Sequence, residues 1–453
     1  MSSNRISQSF WLFFFALCLF FLISWLTPQV YFEQYGIKKI DYLKPILTTP
    51  SQKKETVWLT NKNGEKIKQE VSSTDTIVKR IKRDIVTLED YSNEGLMLKA
   101  LCHNLKNCKD SSATCRIAYY GDSFIEGDIM TGALRNQLQT NFGGNGMGFI
   151  PINSESAYCR RLLPTSCENW NEYSISKQSR SSNLGIAGSC FMANSTSTNF
   201  TLKPSRGVNG LYLFYKAPSK TAVKHTYNFK TTRTDSLPIA NQVNRIPLNN
   251  SGTTPIKRYE LTVLDTNKAI FYGISHENGS GVYVDNFSIR GNSGLGINQI
   301  NNKTFVDFQR FMNYKLIVLQ YGINVSAPET TNFSHYESGM IKLVNRLKTI
   351  FPNAAILLIS VGDRCHKVDD EMVTMPSIPL LVESQRRVAQ KTGTLFWNLW
   401  EAMGWEGGMK KLVDAGMANK DYTHISYGAG NILANELYKA LIHAYNSNLE
   451  LAK

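Results

Sequence analysis

The chain has 453 residues, 42% of them hydrophobic and 19% charged, which is enough for two or three domains with a real core and excludes global disorder. Fifty Lys and Arg against 36 Asp and Glu leave a net charge of +14. A basic surface suits polyanions such as nucleic acid, lipid head groups or an acidic wall polymer, but no nucleic-acid motif accompanies the charge, so nucleic acid is set aside.

Residues 10–26, FWLFFFALCLFFLISWL, are apolar except for Ser24, and no small-residue cleavage site follows them. Residues 1–37 are therefore expected to be an uncleaved membrane anchor with the remainder outside the cytoplasm. The flanking charges, Arg5 before the run and Lys38, Lys39 and Lys44 after it, would favour the opposite orientation. A large folded domain translocates regardless, and the exported reading is retained. Cys18 lies in this run. Of the other seven cysteines, Cys102/Cys108 and Cys159/Cys167 are close enough to be disulfide pairs in an oxidising compartment. None has zinc-site spacing, so no metal is expected.

Residues 38–93 are polar and lysine-rich and read as a lead-in or stalk. Residues 94–105 have helical spacing, and 116–120 are a strand. After the strand comes Gly121-Asp122-Ser123, then an apolar stripe, Ile125, Ile129, Ala133 and Leu138, that predicts a helix starting directly after Ser123. FGGNGMGF at 142–149 must be a loop. It follows a helix and lacks Lys-Ser/Thr, which argues against a phosphate cradle.

From 155 to 280 the texture changes to Ser, Thr and Asn with short alternating runs, which predicts an inserted antiparallel β-sandwich. From 281 to 453, apolar strands at 281–289, 314–322, 354–362 and 394–400 alternate with helical patterns at 335–351, 379–392 and 426–447. Together with 94–154 they predict one α/β domain whose parallel sheet is covered on both faces.

Ligands of such sheets bind at the carboxyl ends of the strands. Ser123, Gly291, Asn324, Asp421 and His424 all fall at strand ends or before the last helix. Serine is a weak nucleophile until a base takes its proton, and His424 suits that task. Asp421, three residues earlier, can hold the imidazole's tautomer. The N–H groups of Ser123 and Gly291 and the Asn324 amide can meet a carbonyl oxygen that becomes negative, while Gly294 is the other glycine of the RGNSG run. A helix dipole behind Ser123 would add to this. Asp122 shapes the turn. Asp363 and Arg364, in a charged loop at the same edge, are candidates for substrate contact, and Trp405 for ring stacking.

YYGDS, RGNSG, YGIN and DYTH, in this order, resemble the four blocks of the SGNH (GDSL-type) hydrolases over roughly 115–150 and 281–445. The resemblance implies a three-layer α/β/α, flavodoxin-like sheet, catalytic Ser123, Asp421 and His424, oxyanion donors Gly291 and Asn324, and no cofactor. The run GDSFIEGDIMTGALRNQLQTNFGGNGMGFIP resembles the cell-wall branch of that family, exported peptidoglycan O-acetylesterases and proteins associated with membrane-bound O-acyltransferases. That implies an O-acetylated polysaccharide as substrate. The alternatives are transfer of the acetyl group to a sugar hydroxyl alongside a membrane-bound O-acyltransferase, or polysaccharide binding without catalysis. Val325, where the third block usually continues with Asp, and the second block both depart from the esterase pattern.

Overall fold

The computed structural model describes residues 54–60, 66–72, 83–153, 164–177, 181–205, 207–248 and 254–451. The expected anchor over residues 1–37 and Cys159 lie outside them. Among the described residues no helix is long and apolar enough to cross a membrane.

The chain divides into two units, Met1–Lys79 and Arg80–Lys453. Within the first, Lys54–Thr60 and Lys66–Ser72 pair as an antiparallel hairpin inside the segment read as a stalk.

The second unit is built on a six-stranded sheet. Its strands are β1 (Glu89–Asp90), β2 (Thr114–Gly121), β3 (Gly281–Ser288), β4 (Tyr314–Gln320), β5 (Ala355–Ile359) and β6 (Leu395–Trp397), in the spatial order β3-β2-β4-β5-β6-β1. All pair in parallel except the two-residue β1, which runs antiparallel along β6. Residues such as Ile117, Ile317 and Leu357 are buried because helices cover both faces. Each such side chain contributes roughly 1.5–3 kcal/mol. Helices α1 (Leu96–Asp110), α2 (Thr131–Phe142) and α6 (Tyr427–Leu451) pack together on one side. Helices α3 (Asn302–Met312), α4 (Ser334–Ile350) and α5 (Ser377–Thr392) lie on the other. The sheet thus begins at β1, within the 38–93 lead-in, because a two-residue edge strand leaves no pattern in the sequence.

The sandwich enters between β2 and β3, which are neighbours in the sheet. Its two antiparallel sheets enclose a separate apolar core around Phe200, Leu213, Tyr259 and Phe271. One sheet takes in Gly148–Pro151, which pairs with Ile270–His276. The sandwich therefore starts before residue 155. The glycine loop at 142–149 serves close packing: Val282 N–H donates to the Gly143 carbonyl, and a Cβ on Gly144 would stand 2.7 Å from the Val282 oxygen. This loop lies at the amino end of β3, away from Ser123.

A buried ionic cluster joins sandwich and sheet. Arg116 on β2 donates to both oxygens of Asp285 on β3, at 2.7 and 3.0 Å, and to Ser275 and Glu277 of the sandwich. Asp285 also accepts from the Phe149 N–H and the Tyr314 hydroxyl.

Cys102 and Cys108 are not bonded; both are free thiols on α1. Six residues along a helix are about 9 Å of rise, beyond the span of a disulfide. Cys108 instead has its thiol against that of Cys115 on β2.

Candidate active site

The turn after β2 differs from the expected helix start. Ser123–Asp128 form a short 3₁₀ segment, broken where Gly127 and Asp128 adopt φ of 63° and 65°, and α2 begins only at Thr131. No long helix starts at Ser123, so the expected helix dipole does not act on it. What holds the serine is Asp122, whose Oδ1 accepts the Phe124 N–H at 3.0 Å. Ser123 is 5% exposed.

His424 lies in the loop before α6. Its Nε2 is 2.9 Å from Ser123 Oγ. Its Nδ1 is 2.8 Å from Asp421 Oδ2. The other oxygen of Asp421 accepts the N–H groups of Thr423 and His424 at 2.9 and 3.0 Å. One carboxylate thus builds the turn and orients the ring, which is why a three-residue spacing works. Burial acts to raise the Asp421 carboxyl, but the His424 and Thr423 N–H groups and the imidazole outweigh it and hold it below its ordinary value.

Gly291 sits in the turn after β3, which is tied to the serine strand by the Ile289 N–H donating to the Gly121 carbonyl at 2.9 Å. Its φ is 72°, and its N–H has no acceptor among the described residues. Gly294 differs: its N–H donates to Asn292 Oδ1 at 2.7 Å, and a Cβ there would meet the Tyr321 ring. Of the two glycines, Gly291 keeps an amide to offer.

Asn324 follows β4. Its Nδ2 donates to the Asn292 carbonyl at 3.0 Å, and its side chain also bonds the Asp122 carboxylate. Asn324 thereby links the serine turn to the Gly291 loop. Asp122, 1% exposed, has its carboxyl pushed up to about 7 by burial, against the donors Phe124, Gly322 and Asn324. It does more than shape a turn, since it connects the Ser123 and Asn324 segments.

Arg364 and Asp363 part company. Asp363 is buried, taking the Thr374 hydroxyl and the Met409 N–H, so it holds its own loop together. Arg364 donates from Nε to Thr423 Oγ1 and from Nη1 to the carbonyls of Ile323 and Ser326. It clamps the Asn324 segment to the His424 segment. Trp405 packs edge-on against the buried Trp400 at 5.0 Å. Arg290, beside Gly291, pairs with Glu126, three residues after Ser123. Neither this pair nor the Arg364 clamp is visible in the sequence, where the only signal is proximity to a block.

No protein-family model and no curated protein matches the sequence. Among solved structures, a peptidoglycan O-acetylesterase is 22% identical over 80% of this chain and 99% of its own, with a TM-score of 0.65. A family two carbohydrate esterase from Cellvibrio japonicus is 9% identical, covers 62% of this chain and 99% of its own, and has a TM-score of 0.26. A salicylyl-acyltransferase from a tetracycline biosynthetic pathway is 13% identical over 62% and 98%, with a TM-score of 0.29. The first of these is a likeness of fold. The fold of this chain is that of the solved peptidoglycan O-acetylesterase, and it brings the four sequence blocks to the carboxyl edge of one mainly parallel sheet.

Proposed function

We infer that the chain is a serine esterase that removes O-acetyl groups from a cell-wall or extracellular polysaccharide. The observation that carries this reading is the continuous chain of hydrogen bonds from Ser123 Oγ through the His424 ring to Asp421. His424 Nε2 takes the Ser123 proton as Oγ attacks the acetyl carbonyl. Asp421 keeps the proton of Nδ1 in place and stabilises the imidazolium. The N–H groups of Ser123 and Gly291 receive the oxyanion, each donor of this kind being worth roughly 3–4 kcal/mol. Asn324 joins them by turning its amide from the Asn292 carbonyl. The imidazolium then returns its proton to the departing sugar oxygen, leaving acetyl-Ser123. Water, deprotonated by His424, releases acetate and restores the serine.

The apolar run at residues 10–26 supports a place outside the cytoplasm, anchored to the membrane. The related O-acetyltransferase reading uses the same residues with a sugar hydroxyl in place of water. The test is acetate release by the chain from residue 40 onward, beside its Ser123→Ala variant, with p-nitrophenyl acetate and with O-acetylated polysaccharide. Turnover with an acetyl adduct on the wild type alone supports the esterase. Acetate that appears only as new sugar ester when an acceptor glycan is added assigns a transferase. Equal inertness of both proteins refutes both readings.

A further inference from the structure

A cleft open to solvent lies between the sandwich and the carboxyl end of β3. Glu126, Ser288 and Arg290 line it from the sheet side, and Asn153, Glu172 and Ser176 from the sandwich. It begins beside the candidate nucleophile, since Glu126 is in the Ser123 turn and Arg290 adjoins Gly291.

The two walls are held at fixed separation. The Tyr120 hydroxyl on β2 donates to the Ile186 carbonyl of the sandwich at 3.0 Å. Gly188, with φ of 79°, is wedged so that a Cβ would stand 2.6 Å from Ile175 of the sandwich and 2.7 Å from Ile289 beyond β3. The cleft is therefore pre-formed.

Its polar groups are arranged as acceptors with spare capacity. Glu172 Oε2 takes the Asn153 amide and the Lys177 ammonium, both at 2.9 Å. Glu126 Oε2 takes Arg290. In each carboxylate Oε1 has no partner among the described residues, while the cationic partners fix its direction and cancel its charge. Fixed acceptors with hydroxyls beside them, and no exposed aromatic ring among the described lining residues, match a neutral polyhydroxylated ligand held by hydrogen bonds.

We propose that this cleft is a glycan subsite that binds the sugar adjoining the one whose ester faces Ser123. The proposal rests on the esterase reading and names how that site selects a polymer. Glu172 and Asn153 belong to the sandwich and not to the bond-making groups, so they separate the two ideas. The experiment compares wild type with Glu172→Ala, Asn153→Ala and Glu172→Gln. Rates are measured on O-acetylated N-acetylchitotetraose and on p-nitrophenyl acetate, and binding of unacetylated N-acetylchitotetraose by calorimetry and NMR. The expected result is a loss of about tenfold or more in kcat/KM on the oligosaccharide for the alanine variants. Activity on p-nitrophenyl acetate should stay within about twofold of wild type, the same size as a small surface change. Glu172→Gln, which keeps an acceptor, should lose less. Unchanged rates on both substrates overturn the subsite, as does a parallel fall on both. If wild type hydrolyses neither substrate, the esterase reading fails. The subsite then stands only if the tetrasaccharide binds wild type and binds neither Glu172→Ala nor Asn153→Ala, and falls if wild type leaves it unbound at millimolar concentration.

Discussion

His424 Nε2 lies 2.9 Å from Ser123 Oγ across 301 residues of sequence, and Asp421 lies 2.8 Å from the other ring nitrogen. If this chain of bonds is the reacting apparatus, Ser123→Ala and His424→Ala should each lower kcat on p-nitrophenyl acetate by on the order of 10⁴ or more. Asp421→Asn should lower it by on the order of 10³–10⁴, because the amide favours the wrong tautomer. Steady-state rates on variants with unchanged circular dichroism decide this, and a fully active Asp421→Asn would remove Asp421 from the mechanism.

Asp122 makes stability depend on pH. Its folded-state value of about 7 lies above the ordinary 3.8, so between those values the folded chain keeps a proton that the unfolded chain releases. The contribution is complete below about 4 and is lost as pH rises through about 7. Asp122→Asn keeps an acceptor for the Phe124 N–H and does not titrate. The difference in Tm, wild type minus variant, should therefore fall steadily from pH 4 to pH 8. A constant or rising difference would contradict the assignment.

The Arg364 clamp should matter to rate more than to stability. It joins Thr423, next to His424, to the carbonyls on either side of Asn324. Arg364→Met should lower kcat about 10²-fold, the scale of a misplacement near 1 Å, with KM less affected. Arg364→Lys should fail to restore the rate, since an ammonium cannot span the same acceptors in a fixed plane. Restoration by lysine would mean that charge alone matters.

The Arg116–Asp285 pair is where a single change should unfold the protein. Asp285 is fully buried and accepts from Arg116, Phe149 and Tyr314. Asp285→Ala leaves the Arg116 charge without its bidentate partner and should cost about 3–5 kcal/mol in urea unfolding. The double variant Arg116→Met/Asp285→Leu should recover a large part of that loss. A single variant as stable as wild type would show that the cluster contributes nothing.

Periodicity and turn chemistry made most of the α/β elements legible, because parallel strands buried on both faces read as unbroken apolar runs such as Leu316–Leu319. The two missed strands share one cause. Glu89–Asp90 and Gly148–Pro151 are strands only because distant partners, Leu395–Phe396 and Gly273–His276, complete their hydrogen bonds. The apolar stripe from Ile125 counted as helical although Gly127 and Asp128 reverse the backbone inside it.

Local chemistry in the sequence by itself determined the candidate nucleophile, and the Asp421–His424 spacing that one Asx-type turn converts into an oriented imidazole. It also determined the change of texture that marks the inserted sandwich. Tertiary structure alone decided that Asn324 and Arg364 tie three loops together, and that a cleft opens beside Ser123 between two separately built cores. The physical reason is range: a turn is closed by bonds between residues two or three apart, whereas these contacts join groups from about 30 to about 200 positions apart. No local pattern encodes them until the sheet has brought its strand ends to one edge.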